Sequence, residues 1–220
     1  MSTTLENKPA YLSQSADFGE SDCWLCVQCL AAYNQGHHHY YWLDLEELNT
    51  DSLEEFDKEF NAAIKFVIDT SPAEGAEEWI FTDHSGIDSI YSEYIGSEEL
   101  FEYLEGLKQA KDSGHSHELW ENYINELDPS DKDYDTFEDM YYGGYDSPEE
   151  FAESICQDCG YIPNDLPSWI EIDWERTWEN LSQDYTEVDA NVFTQGIIDG
   201  FIMNSEYRIA YDIPMDSDRV

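Results

Sequence analysis

The chain has 220 residues, of which 51 are Asp or Glu and only 9 are Lys or Arg, for a formal charge of -42. That balance disfavours direct nucleic-acid binding, which needs cations against phosphates. A hydrophobic content of 41% with 15% aromatics excludes an acidic polymer too polar to fold.

No apolar run approaches the roughly 18 residues that span a bilayer, and residues 1–20 lack a basic start followed by an apolar stretch. The expectation is a soluble, cytoplasmic protein without a membrane partner. Five cysteines, an odd number, fit a reducing compartment better than a disulfide framework. The net charge is -10 over residues 1–70, -17 over 71–140 and -15 over 141–220, so the acidity is no tail. Like charges at this density oppose compaction into one sphere, and an elongated series of small modules lowers that repulsion.

In chain order, residues 1–22 are polar and aperiodic and read as a mobile leader. Cys23 to Tyr33 reads as a strand, Asn34-Gln35-Gly36 as a turn and His39 to Leu43 as the returning strand. Ser52 with Glu55 makes a capping box for a helix to about Ile68, with Leu53, Phe56, Phe60, Ile64 and Val67 as its apolar stripe. Glu78 to Thr82 reads as a further strand. Ser97 caps a helix with Leu100, Leu104 and Leu107 inward, and a second helix starts at Ser116 with Leu119, Tyr123, Ile124 and Leu127 as its apolar side. Phe137 to Tyr145 reads as extended. Ser147-Pro148 starts a helix that Gly160 ends, and another runs from Asp173 to Leu181. Asp184 to Val188, Val192 to Thr194 and Tyr207 to Tyr211 read as strands. The fold class is α+β, in three small modules: α+β over 23–93, helical over 94–136 and α+β over 137–213, with a tail over 214–220.

Cys23, Cys26 and Cys29 precede His37-His38-His39, and Cys156 and Cys159 follow much later, a pattern that could serve zinc or an iron–sulfur cluster. Strand alternation turns Cys26 away from Cys23 and Cys29, and Cys156 with Cys159 lack two further ligands. Burial as small hydrophobes is the favoured reading for all five. Asp131-x-Asp133-x-Asp135 imitates a calcium loop but has Thr136 and Tyr142 where Gly and Glu are needed. His115-Ser-His117-Glu118 is not the zinc-protease motif, and no phosphate loop or nucleophile elbow occurs. With 51 acids available, no carboxylate pair singles itself out as catalytic. The sequence therefore points to no catalytic residue, metal ligand or cofactor.

What does repeat is the acidic face. Its candidate residues are Asp44, Glu46, Glu47, Glu54, Glu55, Glu59, Glu77, Glu78 and Asp83 in the first module. Glu98, Glu99, Glu102, Glu105, Glu118, Glu121, Asp131, Asp133 and Asp135 belong to the second, and Glu149, Glu150, Glu153, Asp173, Glu175 and Glu179 to the third. Ordinary surfaces intersperse both signs. At one charge per about 1.7 Å, 42 charges match roughly 70 Å of duplex, or about 21 base pairs, as an upper limit. An acidic halophilic enzyme and a cysteine–histidine metal protein stand as alternatives to an imitation of DNA.

Cys29-Leu-Ala-Ala-Tyr-Asn34-Gln-Gly36, continuing to Trp42-Leu-Asp44, with Gly75-Ala-Glu-Glu-Trp79 and Asp83-His-Ser-Gly86, resembles the ArdA-type antirestriction proteins. Tyr145-Asp-Ser-Pro-Glu-Glu-Phe151 and Ile172-Asp-Trp-Glu-Arg176 are similar too, so the likeness runs over residues 23 to 211. The resemblance implies a DNA mimic that competitively blocks DNA binding and cleavage by type I restriction–modification enzymes. It would occupy the DNA site of their specificity and methyltransferase subunits. It also implies an elongated three-module protein that forms a homodimer through its C-terminal module, where two chains would imitate about 42 base pairs.

Overall fold

Trp24–Cys29 carries aromatic, aliphatic and thiol side chains with one amide, Gln28, and no charge, the composition of a strand covered on both faces. In the computed structural model, which describes residues 8–16, 21–127, 129 and 132–195, it is strand β2, with all six residues buried. It lies inside a four-stranded antiparallel sheet of order β1 (Leu12–Ser13), β3 (Tyr40–Asp44), β2, β4 (Trp79–Ser85). A register shift between Cys26 and Val27 bulges the β2–β4 ladder.

Two expectations change here. The strand expected through Tyr33 stops at Cys29, and Leu30–Asn34 forms the short helix α1. Leu-Ala-Ala favours helix, and the Gly36 and His37 N–H groups close its end on the carbonyls of Tyr33 (3.0 Å) and Ala32 (2.9 Å). The leader is not free throughout. Leu12 and Ser13 pair with Leu43 and Trp42, Leu12 is buried, and the Tyr11 hydroxyl donates to the Glu59 carbonyl at 3.2 Å. A lone apolar residue among polar ones leaves no periodic signal.

Helix α2 (Leu53–Asp69) starts as expected, the Ser52 hydroxyl accepting from the Glu55 N–H. It buries Phe56, Phe60, Ile64 and Val67 while Leu53 stays exposed, and Phe60 meets Phe81 of β4 with ring centroids 5.9 Å apart. Helix α3 (Ser97–Asp112) begins one residue earlier than a Ser97 cap allows. Gly96 holds the N-cap, and the Ser97 hydroxyl instead donates to Asp57 Oδ1 of α2 at 2.5 Å. α3 buries Leu100, Tyr103, Leu104 and Leu107, and α4 (His117–Leu127) buries Leu119, Trp120, Tyr123 and Ile124. The Trp120 ring lies against the α3 backbone so closely that a Cβ at Gly106 would fall 2.4 Å from it.

The chain divides into two compact units between Tyr134 and Asp135. Where an extended Phe137 to Tyr145 was expected, α5 (Tyr134–Met140) is helical and only Tyr141–Gly144 is strand β5. Phe137 and Met140, three apart, are both buried, which is helical spacing hidden in an aromatic run. The second sheet has the order β5, β7 (Asn191–Thr194), β6 (Tyr185–Val188). Its hairpin turns through Asp189 and Ala190 at φ 47° and 61°, the signs of a type I′ turn. Helix α6 (Pro148–Asp158) is capped by Ser147, and α7 (Trp174–Leu181) by Asp173. Phe151 of α6 is the centre of the core, with Tyr185 and Trp178 at centroid distances of 5.0 and 5.9 Å. Helices with antiparallel sheets make the fold α+β, as expected. The strand expected over 207–211 and the tail over 214–220 lie outside the described residues. Among the described residues no helix is long and apolar enough to cross a membrane.

Candidate partner-binding surface

The apolar stripe of α3 dictates where its carboxylates go. At 100° per residue, Glu98, Glu102 and Glu105 share an arc of about 60° opposite the buried stripe, with Glu99 at its edge. All four are exposed. They span about 10 Å of helix axis, a mean rise of about 3.5 Å per charge against about 3.4 Å for successive phosphates of one DNA strand. This is a match of linear charge density, and phosphates also wind around their axis. Glu99 pairs with Lys132 at 3.3 Å, while among the described residues no Lys or Arg pairs with Glu98, Glu102 or Glu105.

Most other candidates are exposed too: Glu47, Glu54, Glu77, Glu78, Asp83, Glu118 and Asp133, and in the second unit Asp135, Glu150, Glu153, Asp173, Glu175 and Glu179. Half-buried Glu55 pairs with Lys58 at 2.8 Å. Half-buried Glu149 lies in the first turn of α6, where backbone and Ser147 hydrogen bonds hold its carboxyl below the ordinary range. Further exposed acids outside the candidate set include Glu74, Glu93, Asp112 and Glu126 in the first unit and Glu171 in the second.

Four candidates are instead used inside the first unit. Asp44 is only 8% exposed and accepts from the Ser21 hydroxyl (2.7 Å) and the Glu46 N–H (3.1 Å). In a strand its place between Leu43 and Leu45 turns it to the opposite face, so no local spacing marked its burial. Glu59 accepts from the Asn49 N–H at 2.8 Å, holding the chain that enters α2. Glu121 accepts from the Ser89 N–H at 2.9 Å and from the Tyr103 hydroxyl. Glu46 accepts from Ser21 and from the Asp22 N–H, both at 2.8 Å, and from Lys111 at 2.7 Å. Burial pushes its carboxyl up, but the bonds from Lys111, Asp22 and Ser21 outweigh this and hold it below the ordinary value. Asp131 lies outside the described residues.

Lys111 also reaches Asp22 at 2.8 Å, so the C-terminal turn of α3 is tied to the segments before β2 and after β3. Beside this tether stand Cys23, Tyr103, Gly86 and His117, which no spacing in the sequence connects. Gly86 sits at φ 67°, and any Cβ there would strike the Asp22 carbonyl at 2.4 Å. Cys23 Sγ lies 4.0 Å from His117 Nε2, superficially a nucleophile and its base. The chemistry is otherwise. Nε2 faces the Gly86 carbonyl at 2.8 Å, so that nitrogen carries the proton and cannot take one from the thiol. Burial, then the Glu46 charge, pushes the Cys23 thiol strongly up, away from the thiolate that nucleophilic attack requires. The adjoining cleft of about 450 Å³ is walled by Asp88, Glu118 and Glu121.

Cys23, Cys26 and Cys29 are buried, as expected, but Cys156 and Cys159 are only half-buried. They sit in the last turn of α6, past the part of the helix that packs inward.

The sequence profile of one family, described as antirestriction protein (ArdA), matches residues 25–194 of the chain. No curated protein matches, and no solved structure does.

Proposed function

Because the chain belongs to the ArdA family of antirestriction proteins, whose members inhibit restriction–modification enzymes, we propose that it is a DNA surrogate directed at type I systems. Its exposed carboxylates stand in for phosphates in the DNA groove formed by the specificity and methyltransferase subunits, and it catalyses nothing itself. The observation that carries this reading is the α3 row, where Glu98, Glu99, Glu102 and Glu105 are exposed at nearly the axial charge density of a DNA strand. The unreactive Cys23–His117 pair supports an inhibitor over an enzyme. Two chains pairing through the C-terminal unit would double the length of duplex imitated. Where methylation uses the same groove as cleavage, both are blocked together.

The test is competition. Pure protein is titrated into a type I methyltransferase carrying a labelled duplex, and release of the duplex is followed together with methyl transfer. Displacement that rises with protein concentration and is relieved by excess DNA is the expected outcome. A ternary complex that keeps the duplex bound would defeat the reading.

A further inference from the structure

Cys156 and Cys159 are set apart from the other cysteines by position as well as exposure. All five thiols are free, yet only these two share one turn of one helix. That turn ends in a Schellman motif: Gly160, at φ 68°, donates to the Gln157 carbonyl and Tyr161 donates to the Cys156 carbonyl, both at 3.0 Å. Cys159 is the C-cap. Helix ends deform more readily than helix interiors, so the pair stands where the backbone can give.

We propose that Cys156 and Cys159 are a redox-active dithiol, a modification site that closes reversibly into an intramolecular disulfide by exchange with a low-molecular-mass disulfide. Side chains three apart on a helix have Cβ atoms about 5–6 Å apart, and a disulfide needs about 3.5–4.5 Å, so the last turn tightens by about 1–2 Å. One cysteine, as thiolate, attacks a sulfur of the small disulfide and expels one small thiolate, leaving a mixed disulfide on the protein. The second cysteine attacks the protein sulfur of that bond and expels the other. Two protein S–H bonds become one S–S bond, and the small disulfide takes up the two electrons and two protons as two thiols. Burial, then the neighbouring Cys159, pushes the Cys156 thiol up, and α6 contains no Lys or Arg to lower it. Exchange is therefore slow at neutral pH and quickens as pH rises. The tightening stores strain, which makes the bond easy to reduce again.

The inference is independent of DNA mimicry and is tested without the target. The chain's negative field repels anionic glutathione disulfide, so the probe is cationic cystamine. Full-length reduced protein is treated with cystamine at mildly alkaline pH, then unfolded in N-ethylmaleimide and mapped by mass spectrometry. The expected result is a Cys156–Cys159 link, reversed by dithiothreitol, with Cys23, Cys26 and Cys29 carrying maleimide. Stable cysteamine adducts on Cys156 or Cys159, no reaction at either, or links that involve the buried three would overturn the proposal. Cys159→Ser should convert the link into a lasting adduct on Cys156. Rapid loss of that adduct would reveal a different resolving thiol and refute the pairing.

Discussion

Glu102 lets stability and inhibition be driven in opposite directions by one atom-scale change. It is exposed on α3 and has Glu98 four residues before it, Glu99 three before it and Glu105 three after it. Each like-charge pair at these spacings costs about 0.2–0.5 kcal/mol, so Glu102→Gln should stabilise the fold by about 0.6–1.5 kcal/mol. The residue lies beyond the first turn, so no helix-dipole attraction is lost with it. Against a basic groove the same carboxylate contributes about 0.2–1 kcal/mol, and its loss should weaken inhibition less than about fivefold. Neutralising Glu98, Glu102 and Glu105 together removes about 0.6–3 kcal/mol, or about 3- to 150-fold in affinity, if the effects add. Adding Glu99→Gln also frees Lys132, placing a cation on the anionic face. Denaturant unfolding reads the first quantity and duplex competition the second. The reasoning fails if Glu102→Gln alone abolishes inhibition while the protein unfolds no earlier than the parent, or if the triple change leaves inhibition untouched.

Association with the target should slow steeply as salt rises, because the field that steers it reaches only about 8 Å at physiological ionic strength; a stopped-flow rate indifferent to salt would indicate an apolar interface. Glu46→Gln should cost about 1–2 kcal/mol at neutral pH by weakening the bond from Lys111. The folded carboxyl lies below its ordinary value of 4.5, so this advantage is present above that value. It is lost as pH falls through the folded one. Parent and variant should therefore converge in urea titrations at acid pH, and a gap independent of pH would disprove the ionic tether. Gly106→Ala should cost about 1–3 kcal/mol, since its Cβ would fall 2.4 Å from the Trp120 ring; an unchanged melting temperature would show that the ring moves aside freely.

What the sequence made legible was whatever depends on neighbours along the chain. The stripe of α2, the Ser52 and Ser147 helix starts, the helix beginning at Asp173 and the exposed row of α3 all follow from spacing and side-chain chemistry within a turn or two. Contacts between distant segments were not legible. Lys111 meets Asp22 across 89 positions, and nothing local marks either as a tether. Glu59 and Glu121 look like other surface acids until the backbone N–H groups that they satisfy are placed beside them. Leu12 enters the sheet only because β3 has an open side for it. The aromatic run from Phe137 failed for a different reason: helix and strand both accommodate it, and the packing of Phe137 on Phe193 at 6.0 Å decides.

The margins of the first sheet bear on how this protein avoids aggregation at high concentration. β1 is only two residues long, too short a template for another chain to extend. On the far side, the Phe81 N–H of β4 is taken by the Glu93 carbonyl at 3.1 Å, and exposed Thr82 and Asp83 follow it in the same strand. A short strand, an occupied donor and a carboxylate each discourage edge-to-edge growth into fibres. A carboxylate on an edge strand thus acts as a gatekeeper, so that stripping charge from β4 would be felt first as turbidity in a concentrated sample.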